Sequence, residues 1–374
     1  MDRFASSNQQ NIQNLIQKSK NENTTRATNQ WMRVYHSWAQ QRNAPLDIEL
    51  LPPSELDPLL QTFYAEIRKQ NGKDYEPSCL ANMLSGIDRY LKEKQYKFSI
   101  VRDREFSTSK SVLEGKARIL RENGMGKRPN KAESLTRSEE EILWTSDQFG
   151  AKTPMSLINT IWWQLSQHFG LRGRQEHHSM KVEDFVFKKD DKNNEYVTFS
   201  EGITKTRKSG LHEVNRAAIP KMFATNTTRC PVSFLRLYLS KRPLNLRSSG
   251  PLYLAVIHNP ATDVWYKSSR MGQHTIDNLM KRMVENSPLK DEIAAGRSKP
   301  KKLTNHSVRK TGVKTLKSNG YSKSEIIAVT GHNSEKGLDA YDSGDETQQR
   351  QMSHAIDHVP SSTNLSTTTN SQSS

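Results

Sequence analysis

Apolar residues recur every three or four positions through the first third of the chain, which predicts helices. Three apolar faces stand out: Trp31, Val34, Tyr35 and Trp38; Leu59, Leu60, Phe63, Tyr64 and Ile67; and Met83, Ile87, Tyr90 and Leu91. A fourth helix is expected to end near Gly124. The pattern therefore predicts a helical domain over residues 30–125.

The period changes after residue 170. Before that point, Ser138 with Glu141 predicts a capping box, and Thr153-Pro154 predicts the start of an apolar helix that ends at Gly170. Alternation then predicts strands at 184–187 and 195–199 and near 212–219. Helices are expected again at 231–239, at 272–285 and, as three short ones, within 307–342. The predicted fold is mainly α with a small antiparallel β-sheet, an α+β architecture.

Three segments have the composition of connecting or unfolded chain. Residues 1–29 are rich in Gln, Asn, Ser and Thr and predict a disordered leader, and residues 359–374 predict a disordered tail. Residues 126–134 combine Gly, Pro and Asn with cations and predict a basic linker. We therefore place a second domain at 135–358.

The net charge of the chain indicates a polyanionic partner. The 374 residues hold 56 Lys and Arg against 40 Asp and Glu, a formal net charge of +16. Such an excess favours a polyanion, because cations that neutralise phosphates release counterions. Nucleic acid is the leading candidate, and a basic surface kept for solubility is the alternative. An apolar run of about 18 residues, as a membrane helix needs, is missing from the sequence.

Metal and disulfide chemistry receive little support. Cys79 and Cys230 stand far apart without a second cysteine nearby, which disfavours a zinc site or a disulfide framework and fits a reducing compartment. His177 and His178 are adjacent, so they would point in different directions on a helix. We expect no metal and no other cofactor.

Candidate catalytic residues follow one another in a characteristic order in the second domain. Ser322 with Glu325 predicts a second capping box, and Gly331 is expected to end that helix, which puts His332 in a turn. Ser334 is expected to cap the next helix. The ordered set is Gly170-Leu171-Arg172, Lys205, His306-Ser307-Val308-Arg309, Gly331-His332 and Tyr341.

This order resembles the active site of the tyrosine recombinases, the phage-integrase superfamily. The stretches 170–177 and 305–332 resemble most closely the eukaryotic Crypton-type branch of mobile elements and its domesticated animal relatives. The resemblance extends over about 30–358 and implies a helical core-binding domain that clamps DNA, followed by a catalytic domain.

The resemblance also implies roles for single residues. Tyr341 matches the nucleophile, Arg172 and Arg309 match the two phosphate-binding arginines, His306 and His332 match the two histidines, and Lys205 matches the lysine that protonates the leaving oxygen. The first arginine is followed by a glutamate at a longer spacing than in the family, so Arg174 is an alternative to Arg172. Lys208 is likewise an alternative to Lys205.

Elementary chemistry supports the same set. A phosphodiester gains negative charge in its transition state, and guanidinium groups bind its oxygens with forked hydrogen bonds. A phenol ordinarily has a pKa of about 10, so we expect neighbouring cations or a base such as His306 to activate the nucleophile.

DNA contacts are expected on both domains. The cations that we assign to them are Arg89, Lys92, Lys127, Arg128, Arg174, Arg207, Lys208, Lys299, Lys301 and Lys302. The last three belong to the densest basic run, for which a nuclear-localisation segment or a solvated loop is the alternative.

Three functions remain open at this stage. The first is DNA recombination or integration by an enzyme of transposable-element origin, acting in the nucleus as a dimer or tetramer on double-stranded DNA. The second is a domesticated DNA-binding protein of transcription or chromatin that retains the fold. The third is an enzyme similar to type IB topoisomerases, which relaxes DNA by itself.

Overall fold

The computed structural model describes residues 5–126, 131–172, 175–200, 219–332, 334–339, 341 and 353. The chain divides into two compact units, Met1–Lys131 and Ala132–Ser374. The division falls within the segment for which the sequence predicts a linker. Helices dominate both units, and the described residues of the second also form two small antiparallel sheets, so the predicted fold class is confirmed.

The secondary-structure elements in the described part of the first unit are all helices. Its helices are α1 (Gln9–Ser19), α2 (Glu22–Arg42), α3 (Pro53–Glu66), α4 (Pro77–Glu93) and α5 (Ser107–Glu122). The predicted aromatic face of α2 packs as expected, since Tyr35 stands edge-on to Phe63 of α3 at 5.3 Å between ring centroids. Both α3 and α4 begin with proline, whose fixed φ suits the first helical turn.

The predicted disordered leader is wrong for much of its length, because α1 and the start of α2 occupy it. Asparagine side chains begin both helices: Asn8 accepts from the backbone N–H of Asn11, and Asn21 accepts from those of Asn23 and Thr24. Capping thus supplies what the weak apolar pattern lacks. All residues of α1 remain solvent-accessible.

The second unit holds the remaining elements. Its helices are α6 (Arg137–Thr145), α7 (Pro154–His168), α8 (Gln175–Ser179), α9 (Pro231–Ser240), α10 (Gln273–Asp277), α11 (Leu279–Glu285), α12 (Leu289–Glu292), α13 (Asn305–Ser318), α14 (Lys323–Thr330) and α15 (Lys336–Asp339). Its strands are β1 (Phe185–Lys189), β2 (Glu195–Phe199), β3 (Lys221–Phe223), β4 (Leu254–Val256) and β5 (Tyr266–Arg270).

The core of the second unit surrounds α7, which is buried along most of its length and packs against α9 and α13. Strands β1, β2 and β3 form one antiparallel sheet, in which Phe185 pairs with Phe199. Except for Ile219, the third strand predicted near 212–219 lies outside the described residues, as does the predicted tail.

One predicted helix start is wrong by two residues. The capping box of α6 consists of Thr136 and Glu139, and Ser138 lies inside the first turn. Thr136 Oγ1 accepts from Glu139 N at 3.2 Å, and Glu139 Oε2 accepts from Thr136 N at 2.7 Å. The predicted pair, Ser138 with Glu141, and the observed pair, Thr136 with Glu139, have the same three-residue spacing. Glu139 is also held by a contact with Lys301.

Candidate active site

Two turns from distant parts of the sequence meet at the centre of the site. Gly170 ends the α7 segment with a φ of +59°, and a Cβ atom added there would lie 2.4 Å from Thr330 Cα. Gly331 ends α14 with a φ of +63°, and its N–H donates to Ile327 O at 2.8 Å. Only glycine at position 170 permits this approach, because a side chain there would overlap backbone atoms.

Arg309 connects these two turns. Its side chain is 4% exposed, and it donates through Nη1 to Gly170 O and through Nη2 to Thr330 O, the latter at 2.7 Å. Burial lowers the pKa of Arg309 from its ordinary 12.5, an effect that the Tyr341 hydroxyl opposes and the neighbouring Arg172 reinforces. Arginine keeps its proton in proteins, so Arg309 supplies a buried positive charge.

His332 and Tyr341 complete the arrangement. Tyr341 Oη lies 3.4 Å from His332 Nε2, and the two rings meet edge-on with 5.4 Å between centroids. Arg309 Nη2 lies 3.2 Å from the same Nε2. The predicted nucleophile, one predicted arginine and one predicted histidine therefore lie together within one unit.

Thr330 sets the protonation of the His332 ring. Its hydroxyl donates to Ile326 O at 2.6 Å, so its oxygen can only accept in its 2.7 Å contact with His332 Nδ1. The proton of a neutral imidazole is therefore on Nδ1, and Nε2 is the acceptor. Arg309 Nη2 lies 3.3 Å from Nδ1 and 3.2 Å from Nε2, whereas Tyr341 Oη contacts Nε2 at 3.4 Å. This contact makes His332 the better placed proton acceptor for the phenol.

Arg172 lies on the first turn, two residues after Gly170. Its backbone N–H donates to Glu176 Oε2 at 2.5 Å, and its Nη1 donates to Glu176 Oε1 at 3.2 Å. Glu176 belongs to the first turn of α8, where a carboxylate is favoured by the helix dipole. Short helix α8 thereby fixes the direction of the Arg172 side chain.

His306 occupies a more exposed position than His332. It lies in the first turn of α13, where Thr304 Oγ1 accepts from its backbone N–H at 3.3 Å. Its ring centroid is 6.2 Å from that of Tyr341, against 5.4 Å for His332. The predicted role of His306 as the base thus fits the geometry less well than the same role for His332.

Other predicted residues belong to the first unit or to the basic run before α13, or are not described. Lys127, Arg128, Arg174, Lys205, Arg207 and Lys208 lie outside the described residues. In the first unit, Lys92 is exposed and pairs with Asp88 at 2.6 Å, and half-buried Arg89 donates through Nε to Thr28 Oγ1 at 3.1 Å.

The basic run before α13 divides between surface and interior. Lys299 and Lys302 are exposed, as expected for cations that contact phosphates. Lys301 is 6% exposed and its Nζ lies 2.5 Å from Glu139 Oε2. The predicted DNA contact of Lys301 is wrong in this structure, because its charge is used in a buried ion pair.

Sequence reasoning missed Thr330 as a part of the site. Thr330 directly precedes the Gly331-His332 motif, which was a usable signal. In the described part of the chain, no cluster of three or more His, Cys, Asp or Glu side chains could hold a metal ion. The described helices include none with the length and apolarity that crossing a bilayer requires.

Comparison with curated sequences finds distant relatives of part of the chain. A family model described as a domain of unknown function, DUF3504, matches residues 134–285. The chain is 27% identical over 288 residues to the human uncharacterized protein KIAA1958, which covers 75% of this chain and 40% of that protein. It is 28% identical over 250 residues to human zinc finger MYM-type protein 2, with 62% and 18% covered.

A third relative is human transcriptional regulator QRICH1, 20% identical over 293 residues that cover 70% of this chain and 37% of that protein. The chain spans about two fifths or less of the length of these relatives.

Among solved structures, the chain is similar to a site-specific recombinase and to an integrase. The XerH site-specific recombinase bound to palindromic difH substrate gives a TM-score of 0.48 at 14% identity, with 90% of this chain and 79% of that chain covered. A lambda integrase dimer bound to a COC′ core site gives a TM-score of 0.34 at 15% identity, with 84% and 96% covered.

Proposed function

We propose that this protein cleaves and rejoins DNA strands through a covalent bond between Tyr341 and a 3′ phosphate. The observation that supports the proposal most is the 3.4 Å separation of Tyr341 Oη from His332 Nε2, beside the buried guanidinium of Arg309. A nucleophile, a proton acceptor and a fixed cation are the parts that attack on a phosphodiester requires.

In the proposed step, Tyr341 Oη attacks the phosphorus atom and its proton passes to His332 Nε2. The bond from phosphorus to the 5′ oxygen breaks, and that oxygen takes a proton from Lys205. This is the role that the resemblance to the family implies for Lys205. The products are a 3′-phosphotyrosyl bond and a free 5′ hydroxyl. Because one phosphoester replaces another, the 5′ hydroxyl of a second strand can reverse the reaction without a nucleotide cofactor.

Charge would stabilise this transition state. Arg309 is held by two backbone carbonyls and needs no rearrangement when negative charge develops nearby. Arg172, oriented by Glu176, adds a second guanidinium, on the turn that follows Gly170. The exposed lysines 299 and 302 and the helical first unit are proposed to hold the duplex, with two or four copies acting on paired sites in the nucleus.

The test uses a DNA substrate that traps the intermediate by losing a short strand after cleavage. The 374-residue protein is incubated with a pool of such substrates made from genomic fragments, and covalent adducts are separated on a denaturing gel. We expect an adduct with the unsubstituted protein and none with Tyr341→Phe. Tyr321→Phe is the matched control, because Tyr321 is an exposed tyrosine of the same unit.

A DNA-binding protein of transcription is the second candidate, and the name of the relative QRICH1 as a transcriptional regulator favours it. Salt-sensitive DNA binding without any adduct would support this second function. A topoisomerase-like activity is distinguished by relaxation of supercoiled plasmid that lacks paired sites.

A further inference from the structure

Lys310 follows Arg309 directly on α13, and its side chain is buried. It is 9% exposed, and its Nζ donates to Ala132 O at 2.6 Å. The same Nζ lies 6.0 Å from the centroid of the Tyr341 ring. Burial of an ammonium group is costly, so a lysine at such a place needs compensating contacts. Here a carbonyl oxygen and the negative face of an aromatic ring provide them.

The ring of Tyr341 depends on side-chain contacts for its orientation. Tyr341 comes just after α15, where its N–H donates to Leu338 O at 2.8 Å. The ring packs against a small apolar cluster of Val313, Ile326 and Leu338. Its hydroxyl faces His332 and Arg309, while Lys310 approaches the ring itself. The contact of Lys310 is thus with the face of the Tyr341 ring.

The carbonyl that Lys310 binds belongs to the segment that opens the second unit. This segment lies along the start of α13, because Leu135 N donates to Thr311 Oγ1 at 2.8 Å and Glu133 N donates to Lys302 O at 2.9 Å. Lys310 thus contacts both a fixed stretch of backbone and the proposed nucleophile.

We propose that Lys310 is a positioning residue for Tyr341, whose ammonium group holds the tyrosine ring in the orientation for attack by bridging it to the Ala132 carbonyl. This inference rests on the proposed function and adds a residue to its site. Lysine suits the role because its compact charged group can contact a carbonyl and a ring face together. Arginine keeps the positive charge and also binds aromatic faces.

Three variants of the 374-residue protein test the role. Lys310→Met removes the charge at similar length, Lys310→Arg keeps it, and Lys314→Met removes the charge of an exposed lysine one turn further along α13. Single-turnover cleavage of the trapping substrate is followed over a range of DNA concentrations. The maximal rate, the DNA concentration for half-maximal rate and the fraction of active protein are obtained separately.

For Lys310→Met we expect a maximal rate lower by about tenfold, as loss of a buried cation–ring contact allows. The half-saturating DNA concentration and the active fraction should match those of Lys314→Met, and Lys310→Arg should recover most of the rate. A purely structural role would lower the active fraction instead. Equal maximal rates for Lys310→Met and Lys314→Met, or no recovery with arginine, would overturn the proposal.

Failure of the proposed function would be recognised by the absence of an adduct with the unsubstituted protein. The role of Lys310 is then read by NMR of protein labelled with ¹³C in the tyrosine rings, with the Tyr341 signal assigned from its loss in Tyr341→Phe. We expect this signal to move in Lys310→Met and to stay in place in Lys314→Met. An unmoved signal in both variants would refute the contact itself.

Discussion

Gly170 gives the most direct test of how the site is assembled. Gly170→Ala would place a Cβ atom 2.4 Å from Thr330 Cα and 3.1 Å from Thr330 C. Both are backbone atoms, so rotation of a side chain cannot relieve the overlap. The variant also pays a backbone cost, because φ is +59°. Gly296→Ala is the matched control, since its φ is +64° and nothing lies within 4 Å of the added atom.

The magnitudes follow from this pair. Alanine in the left-handed region costs about 1–2 kcal/mol in both variants. Overpacking against a backbone that cannot move freely adds about 1–3 kcal/mol for Gly170→Ala alone. We therefore expect the free energy of unfolding of the second unit to fall by about 1–3 kcal/mol more in Gly170→Ala than in Gly296→Ala.

Unfolding of the second unit can be followed through its buried cysteine. Pulse alkylation of Cys230 at increasing urea reports opening of this unit, and Cys79 reports the first unit in the same sample. With a urea slope of about 1–3 kcal/mol/M, the Cys230 midpoint should be lower by about 1 M in Gly170→Ala than in the control. Equal midpoints in the two variants would refute the close approach of the two turns.

Three further predictions concern buried side chains that can carry a charge. Arg309→Lys should lower the rate of adduct formation on the order of 100-fold while DNA binding persists, because a lysine cannot bind both carbonyls and still face the phosphate; an adduct assay beside a filter-binding assay measures both. Lys301→Met should destabilise the second unit by about 3–5 kcal/mol by leaving Glu139 buried without its partner, and Lys301→Met with Glu139→Gln should recover part of this in urea unfolding. Burial, with a smaller contribution from His178, lowers the pKa of His177 from 6.5 to about 3, so the unfolded chain binds the extra proton between these values. The free energy of unfolding should then fall below pH 6.5 by up to about 1.4 kcal/mol per pH unit, and His177→Gln should remove that share of the slope.

Local signals in the sequence were sufficient for several elements of the site. Ser322 and Glu325 form the predicted capping box, and Gly331 ends α14 in the left-handed conformation. These features depend on contacts within four residues, which a spacing rule captures. The alternation also predicted strands at 184–187 and 195–199, and the structure has them at Phe185–Lys189 and Glu195–Phe199.

Features that depend on distant contacts could not be found in this way. Thr136 and Ser138 both precede a glutamate by three residues, and the choice between them involves Lys301, which lies 162 residues after Glu139. Composition alone also counts Lys301 among surface cations. The tautomer of His332 depends on the acceptor to which the Thr330 hydroxyl donates. The spacing of residues along the sequence does not predict that acceptor.

The bond from Arg309 to the carbonyl of Gly170 has a consequence for the order of events during biosynthesis. The two residues are 139 positions apart. At a translation rate of about 5–20 residues per second, the turn at Gly170 is made on the order of ten seconds before its guanidinium partner exists. Throughout that interval the nascent second unit has its apolar α7 but lacks α13, the helix that packs against α7 and contributes Arg309. We expect this unit to complete its folding only after release of α13 from the ribosome, and chaperone occupancy on the nascent chain to end there.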